Sequence, residues 1–134
     1  GLVRFYIGDI PLGKPVPGKA LITPLDLAAD GDSLENTAVT NIARLLQSLD
    51  AVPGDDRITV PAQVRERARA SNPALTGVIE HLEYADETRF VNAASQLLAV
   101  LTGDYPHTAV LVDPATAHSH MRKSFSRAGL PVAE

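Results

Sequence analysis

Hydrophobic positions along this chain fall into two rhythms, and the places where one gives way to the other divide it into elements. From Leu2 to Ile7 the residues are aliphatic, aromatic or β-branched with Arg4 interrupting, which predicts a short strand. Gly8-Asp9 reads as a turn, Ile10 to Leu12 as a second short strand, and Gly13 to Gly18 is too rich in Gly and Pro to be helical. Ala20 to Thr23 reads as a further strand stopped by Pro24. Asp26 to Glu35, with four carboxylates and no basic side chain, reads as a solvated acidic loop.

The helical period then takes over. Val39, Ile42, Ala43, Leu45, Leu46 and Leu49 share one arc at 3.6-residue spacing, with Asn36 or Thr37 available as N-cap. Thr40, Asn41, Arg44, Gln47 and Ser48 fall on the other arc, where Asn41, Arg44 and Ser48 are expected to hold the acidic loop by charge-assisted hydrogen bonds. Arg57 to Val60 reads as a short strand or extended segment. Four helix-opening signals, each a cap residue, a proline or both, follow. Pro61 opens a basic surface helix to about Ala70 that turns Val64 and Ala68 inward. Asn72-Pro73 opens a short helix through Leu82 weakened by Gly77, and Asp86 caps a long helix carrying Phe90, Val91, Ala94, Leu97, Leu98 and Leu101 on one arc. Thr108 to Val112 is either a strand or an apolar approach to the helix opened by Asp113-Pro114, which directs Ala117, Met121, Phe125 and Ala128 inward and stops at Gly129.

The pattern predicts an α+β fold, mostly α-helical, with four or five helices behind a small N-terminal β-hairpin or meander. Residues 1–25 form the β element and 36–130 the helical part of a single domain spanning 1–134. A start inside a predicted strand is what a segment excised from a longer protein shows.

Composition narrows the chemistry. Sixteen acidic against 12 basic residues give a net charge of -4, and aromatic residues make up 4% of the chain with no Trp, so neither a basic footprint nor a base-stacking platform for nucleic acid is present. The absence of cysteine removes disulfides, thiolate zinc sites and a cysteine nucleophile. No apolar run reaches the roughly 18 residues of a membrane span. The chain contains no G-x-S-x-G, H-E-x-x-H, S-x-x-K, P-loop or G-x-G-x-x-G.

Two spots remain for chemistry. His118 and His120 stand two apart on a predicted helix and so point roughly opposite ways, which rules out their chelating one ion together. His118 is expected as a hydrogen-bonded histidine at the margin of the core, and His81 and His107 as surface positions. Asp50, Asp55 and Asp56 gather around Gly54 after a helix, a carboxylate set suited to calcium. Their spacing departs from an EF-hand, with Val52, Gly54 and Pro61 at the third, fifth and twelfth positions, and a plain turn with Asp55-Asp56 answered by Arg57 is the competing reading.

"FYIGDIPLG", "ITPLDL" and "TNIARLLQSLD" followed by "ITV" resemble a module of exported lipoproteins and large adhesin-like surface proteins of Gram-negative bacteria, with the pattern F-x-I-G-x-x-x-L-G, T-P-x-D-L and N-I-A-R-x-L-Q-x-L-D. The resemblance covers about Phe5 to Val60, under half of the chain. In those relatives the loop after the last Asp is richer in Asp and Asn, where this chain has Ala51, Val52 and Pro53. The resemblance implies further β-strands ahead of Gly1, and a location that is periplasmic, outer-membrane-anchored or extracellular. The leading expectation is a non-enzymatic binding or adhesion-type module that contacts a protein or other cell-envelope partner. The alternatives are a calcium-stabilised structural spacer, suggested by Asp26, Asp30 and Asp32 together with the metal candidates Asp50, Asp55 and Asp56, and a hydrolase-type enzyme with His118 or His107 beside a carboxylate in a cleft.

Overall fold

A computed structural model describes residues 2–3, 6–13, 16–17, 36–51, 58 and 60–127. The predicted strand at Ala20–Thr23, the acidic loop from Asp26 to Glu35 and the turn holding Asp55 and Asp56 lie outside the described residues. The fold is α+β and mostly helical, with an antiparallel two-stranded hairpin at the N-terminus.

The hairpin is built from four short strands: β1 (Leu2–Val3) pairs with β4 (Val16–Pro17), and β2 (Tyr6–Ile7) with β3 (Ile10–Pro11). Gly8-Asp9 closes it. Gly8 has φ 58° and no non-glycine residue in the described chain has positive φ, so the turn carries its left-handed residue at the first central position, as a type II′ hairpin does. A Cβ at Gly8 would also lie 2.3 Å from the Ala68 carbonyl oxygen, so both conformation and space demand glycine. The alternation of the hairpin buries Ile7, Ile10 and Leu12.

Five α-helices follow among the described residues: α1 (Thr37–Ser48), α2 (Ala62–Arg67), α3 (Val78–His81), α4 (Glu87–Leu101) and α5 (Pro114–Arg127). Asn36 caps α1 by accepting from the Ala38 and Val39 amides, and Asp86 caps α4 by accepting from the Arg89 amide. The short helix expected from Asn72-Pro73 is two pieces, a 3₁₀ turn (Pro73–Leu75) and α3, divided by Gly77 at φ 76°. α2 ends at Arg67, where the hairpin tip takes over its free carbonyls: the Asp9 amide donates to Ala68 at 2.6 Å. Asp9 also accepts from the Ala70 amide and lies 3.5 Å from Arg69. The segment before Pro61 contains no strand among its described residues.

α4 is the central element, with α2, α3, the 3₁₀ turn and α1 packed around it, and α5 laid on α1. Phe90, Ala94, Leu97 and Leu101 join Val39, Ile42, Leu45 and Leu49, together with the hairpin isoleucines, in one hydrophobic cluster. Val64 and Ala68 enter it from the α2 region, and Ala117 and Met121 from α5. Tyr84 ties the hairpin to this core, its hydroxyl donating to the Pro11 carbonyl at 2.9 Å.

The largest departure from the sequence pattern concerns the second arc of α1. Thr40, Asn41, Arg44 and Ser48 are buried, so the helix is covered on both faces. Their partners lie in α4, in the loop before it and around α5. The acidic loop that Asn41, Arg44 and Ser48 are expected to hold lies outside the described residues.

Candidate functional site

The buried polar face of α1 forms a connected seam. Arg44, 6% exposed, donates from Nε to the Val112 carbonyl at 2.7 Å, from Nη1 to Asn41 Oδ1 at 3.0 Å, and to the Glu87 carboxylate at 3.0 Å. Its guanidinium carbon lies 5.4 Å from the centre of the Phe90 ring, adding a cation–π contact. Asn41 donates to the Tyr84 carbonyl at 2.9 Å and to Glu87 at 3.2 Å. Ser48 donates to the Arg44 carbonyl and accepts from the Val112 amide at 2.9 Å. Among the described residues no buried side-chain nitrogen or oxygen is left without a partner. A polar face can be buried at this density because each group exchanges water for a protein partner.

Val112 is therefore clamped at both its amide and its carbonyl. The four residues before it are not. Thr108 to Leu111 run without turn or bend, and their backbone groups enter no hydrogen bond among the described residues. The side chain of Val110 is 71% exposed, the most exposed large hydrophobic residue described.

Beside this run lies an open groove of about 720 Å³, walled by Leu98, Ala99 and Thr102 at the C-terminal end of α4 and by Tyr105 to Leu111 on the other side. Each wall is fixed at one point. Thr102 donates to the Leu98 carbonyl at 2.6 Å, and the Tyr105 hydroxyl donates to the Leu49 carbonyl. Burial first, and then the negative charge of Asp50, raise the Tyr105 phenol above its ordinary value, so the hydroxyl keeps the proton it donates. His107 packs against Tyr105 with ring centres 5.5 Å apart. A smaller crevice of about 320 Å³ between α3 and α4 presents His81, Arg89 and Asn92.

Asp50, the described member of the proposed calcium set, is only 8% exposed and follows the C-terminus of α1. Asp55 and Asp56 lie outside the described residues, and among those described no group of three His, Asp or Glu is placed to hold a metal ion. His118 is half-buried with Nε2 2.8 Å from Thr40 Oγ1, the core-margin hydrogen bond expected of it. His81 and His107 are exposed. Among the described residues neither His107 nor His118 is hydrogen-bonded to a carboxylate. Asp113 begins α5 by accepting from the Thr116 hydroxyl and, at 3.3 Å, its amide; these two bonds hold its carboxyl below the usual carboxylate value. No helix among the described residues is long and apolar enough to cross a membrane.

Sequence reasoning placed "TAVLV" as a strand or an approach segment but did not single it out as a site. Its β-branched, uncharged composition is the available signal; what no local pattern records is that, among the described residues, the backbone of Thr108 to Leu111 goes unpaired. Comparison of the chain with protein-family models, curated proteins and solved structures gives no match.

Proposed function

We propose that this chain is a non-enzymatic binding module of adhesion type, belonging to a protein exported to the periplasm, anchored at the outer membrane or released from a Gram-negative bacterium. The location rests on the resemblance of about Phe5 to Val60 to modules of such proteins. The observation that carries the binding reading is the groove between α4 and Tyr105–Leu111, with an exposed apolar side chain at Val110 on a wall anchored through Val112. A volume of about 720 Å³ lies within the range of roughly 300–1,000 Å³ usual for binding clefts. An anchored wall also limits the ordering cost of association.

The test is site-specific photo-crosslinking. A benzophenone amino acid is placed at position 110, or at exposed position 66 on α2 as control, and the protein is exposed to Gram-negative envelope fractions. A discrete adduct from position 110 and none from position 66 supports the reading. Equal labelling from both positions, or none from position 110, removes the groove as the contact surface. Turnover of an ester, peptide or glycoside panel by the purified chain would replace the module with a hydrolase.

A further inference from the structure

We propose that Thr108–Leu111 is a strand-addition edge, which takes an extended peptide segment of a partner protein as a neighbouring β-strand. This inference rests on the binding reading above and deepens it by naming the chemistry of the occupant.

Backbone amides and carbonyls demand partners, from protein or from water. Among the described residues, partners meet Val112 at both groups and none meets the backbone of the four residues before it. The composition of that run, Thr-Ala-Val-Leu, is uncharged and suits a pleated surface. It also lacks the devices that protect an edge from pairing: no lysine, no proline and no inward charge lies between Thr108 and Leu111. An apolar groove by itself would accept many shapes. A row of free main-chain donors and acceptors along one wall selects an extended backbone, which alone offers complementary groups at matching spacing.

The geometry also gives a register. In a pleated run the main-chain groups of alternate residues point to the same edge. Val112 turns both of its groups to α1, accepting from Arg44 and donating to Ser48. Val110 belongs to that same set. All four residues of the run line the groove; Ala109 and Leu111 belong to the opposite set, turned away from α1. The incoming strand therefore pairs through Ala109 and Leu111, while the exposed Val110 side chain supplies an apolar cross-strand contact.

The probe is a blocked synthetic peptide of alternating valine and threonine with a lysine at each end, compared with the same peptide N-methylated at alternate amides. N-methylation keeps the side chains and abolishes main-chain donation. Amide hydrogen exchange of the unaltered protein is read by NMR. Saturating parent peptide is expected to slow exchange at Ala109 and Leu111 about tenfold or more, with the methylated peptide giving no protection. Ala109→Pro, which removes a donor the fold does not use, is expected to melt as the parent does and to lose the peptide. Protection by both peptides alike, protection elsewhere only, or no protection at millimolar peptide overturns the proposal. If the peptide fails while position 110 still cross-links to an envelope protein, strand addition falls and the binding reading survives; if both fail, both fall.

Discussion

Val112 and the four residues before it are neighbours in the chain with opposite fates. Val112 is held at its amide by Ser48 and at its carbonyl by Arg44, inside a seam where every buried polar side-chain atom described has a partner. Thr108 to Leu111 have no such bonds and leave Val110 in solvent. The polar side chains, which a sequence reader would assign to water, hold the fold together. The apolar run, which a reader would assign to the core, leaves Thr108 and Val110 exposed. Hydrophobicity separates these two regions wrongly, and hydrogen-bond satisfaction separates them correctly, because burying an unpaired polar group costs more than exposing one valine.

The sharpest way to break this contrast is Arg44→Ala. It strands the Val112 carbonyl and Asn41 Oδ1 in the interior, and a loss of about 3 kcal/mol is expected by urea denaturation. Glu87→Gln should cost well under that, about 1 kcal/mol at most, since its side chain is 54% exposed. Equal losses from the two would mean that the ion pair, and not main-chain satisfaction, carries the seam.

Ser48→Ala comes next. It leaves the Val112 amide without its acceptor, with an expected cost of about 1–2 kcal/mol. It should also raise the exchange rate of the Val112 amide toward that of Val110, which would erase the boundary between the two regions.

Tyr84→Phe removes the bond to Pro11 and is expected to cost about 1 kcal/mol. Its pH dependence is more telling. Burial raises the Tyr84 phenol, so the folded state holds this proton more tightly than the unfolded chain does. The stabilisation is therefore complete below the unfolded value of about 10 and is lost as pH rises through the raised folded value. Alkaline melting curves should fall less steeply with pH in Tyr84→Phe than in the parent; identical slopes would contradict this.

At the small end, Val110→Ser should change stability by less than about 0.5 kcal/mol, because the side chain packs on little. Its effect belongs to binding, where the cross-link and peptide assays read it. Melting in calcium against chelator should likewise show no shift. A gain near the roughly 2.7 kcal/mol that a ligand adds at a hundred times its dissociation constant would move the proposal to the calcium-stabilised spacer.

Much of the helical part was legible because its signals are local. Asn36 and Asp86 cap where cap chemistry predicts, Pro114 opens α5, and Phe90, Ala94, Leu97, Leu98 and Leu101 are buried as their spacing requires. Gly77 was visible as a weak point, yet whether it would bend or divide the helix depended on how α3 packs on α4. The second face of α1 was not legible. Its scarcity of charge hints at burial, but the exposed arc of α4, with Asn92, Ser95 and Gln96, is equally poor in charge, so composition alone does not tell a buried polar face from a wet one. The groove was invisible for the same reason, since it joins Leu98 and Thr102 to residues across a loop.

The amino-acid order alone determined which segments become helix or turn, where they start, and which aliphatic arcs seek the interior, because caps, prolines, glycines and a 3.6-residue period act over a few neighbours. Only tertiary structure decided that Arg44 meets Val112 across 68 positions of sequence, and that the backbone of Thr108–Leu111 finds no hydrogen-bond partner among the described residues. Satisfaction of a polar group depends on what the rest of the fold brings beside it, and no local pattern records that.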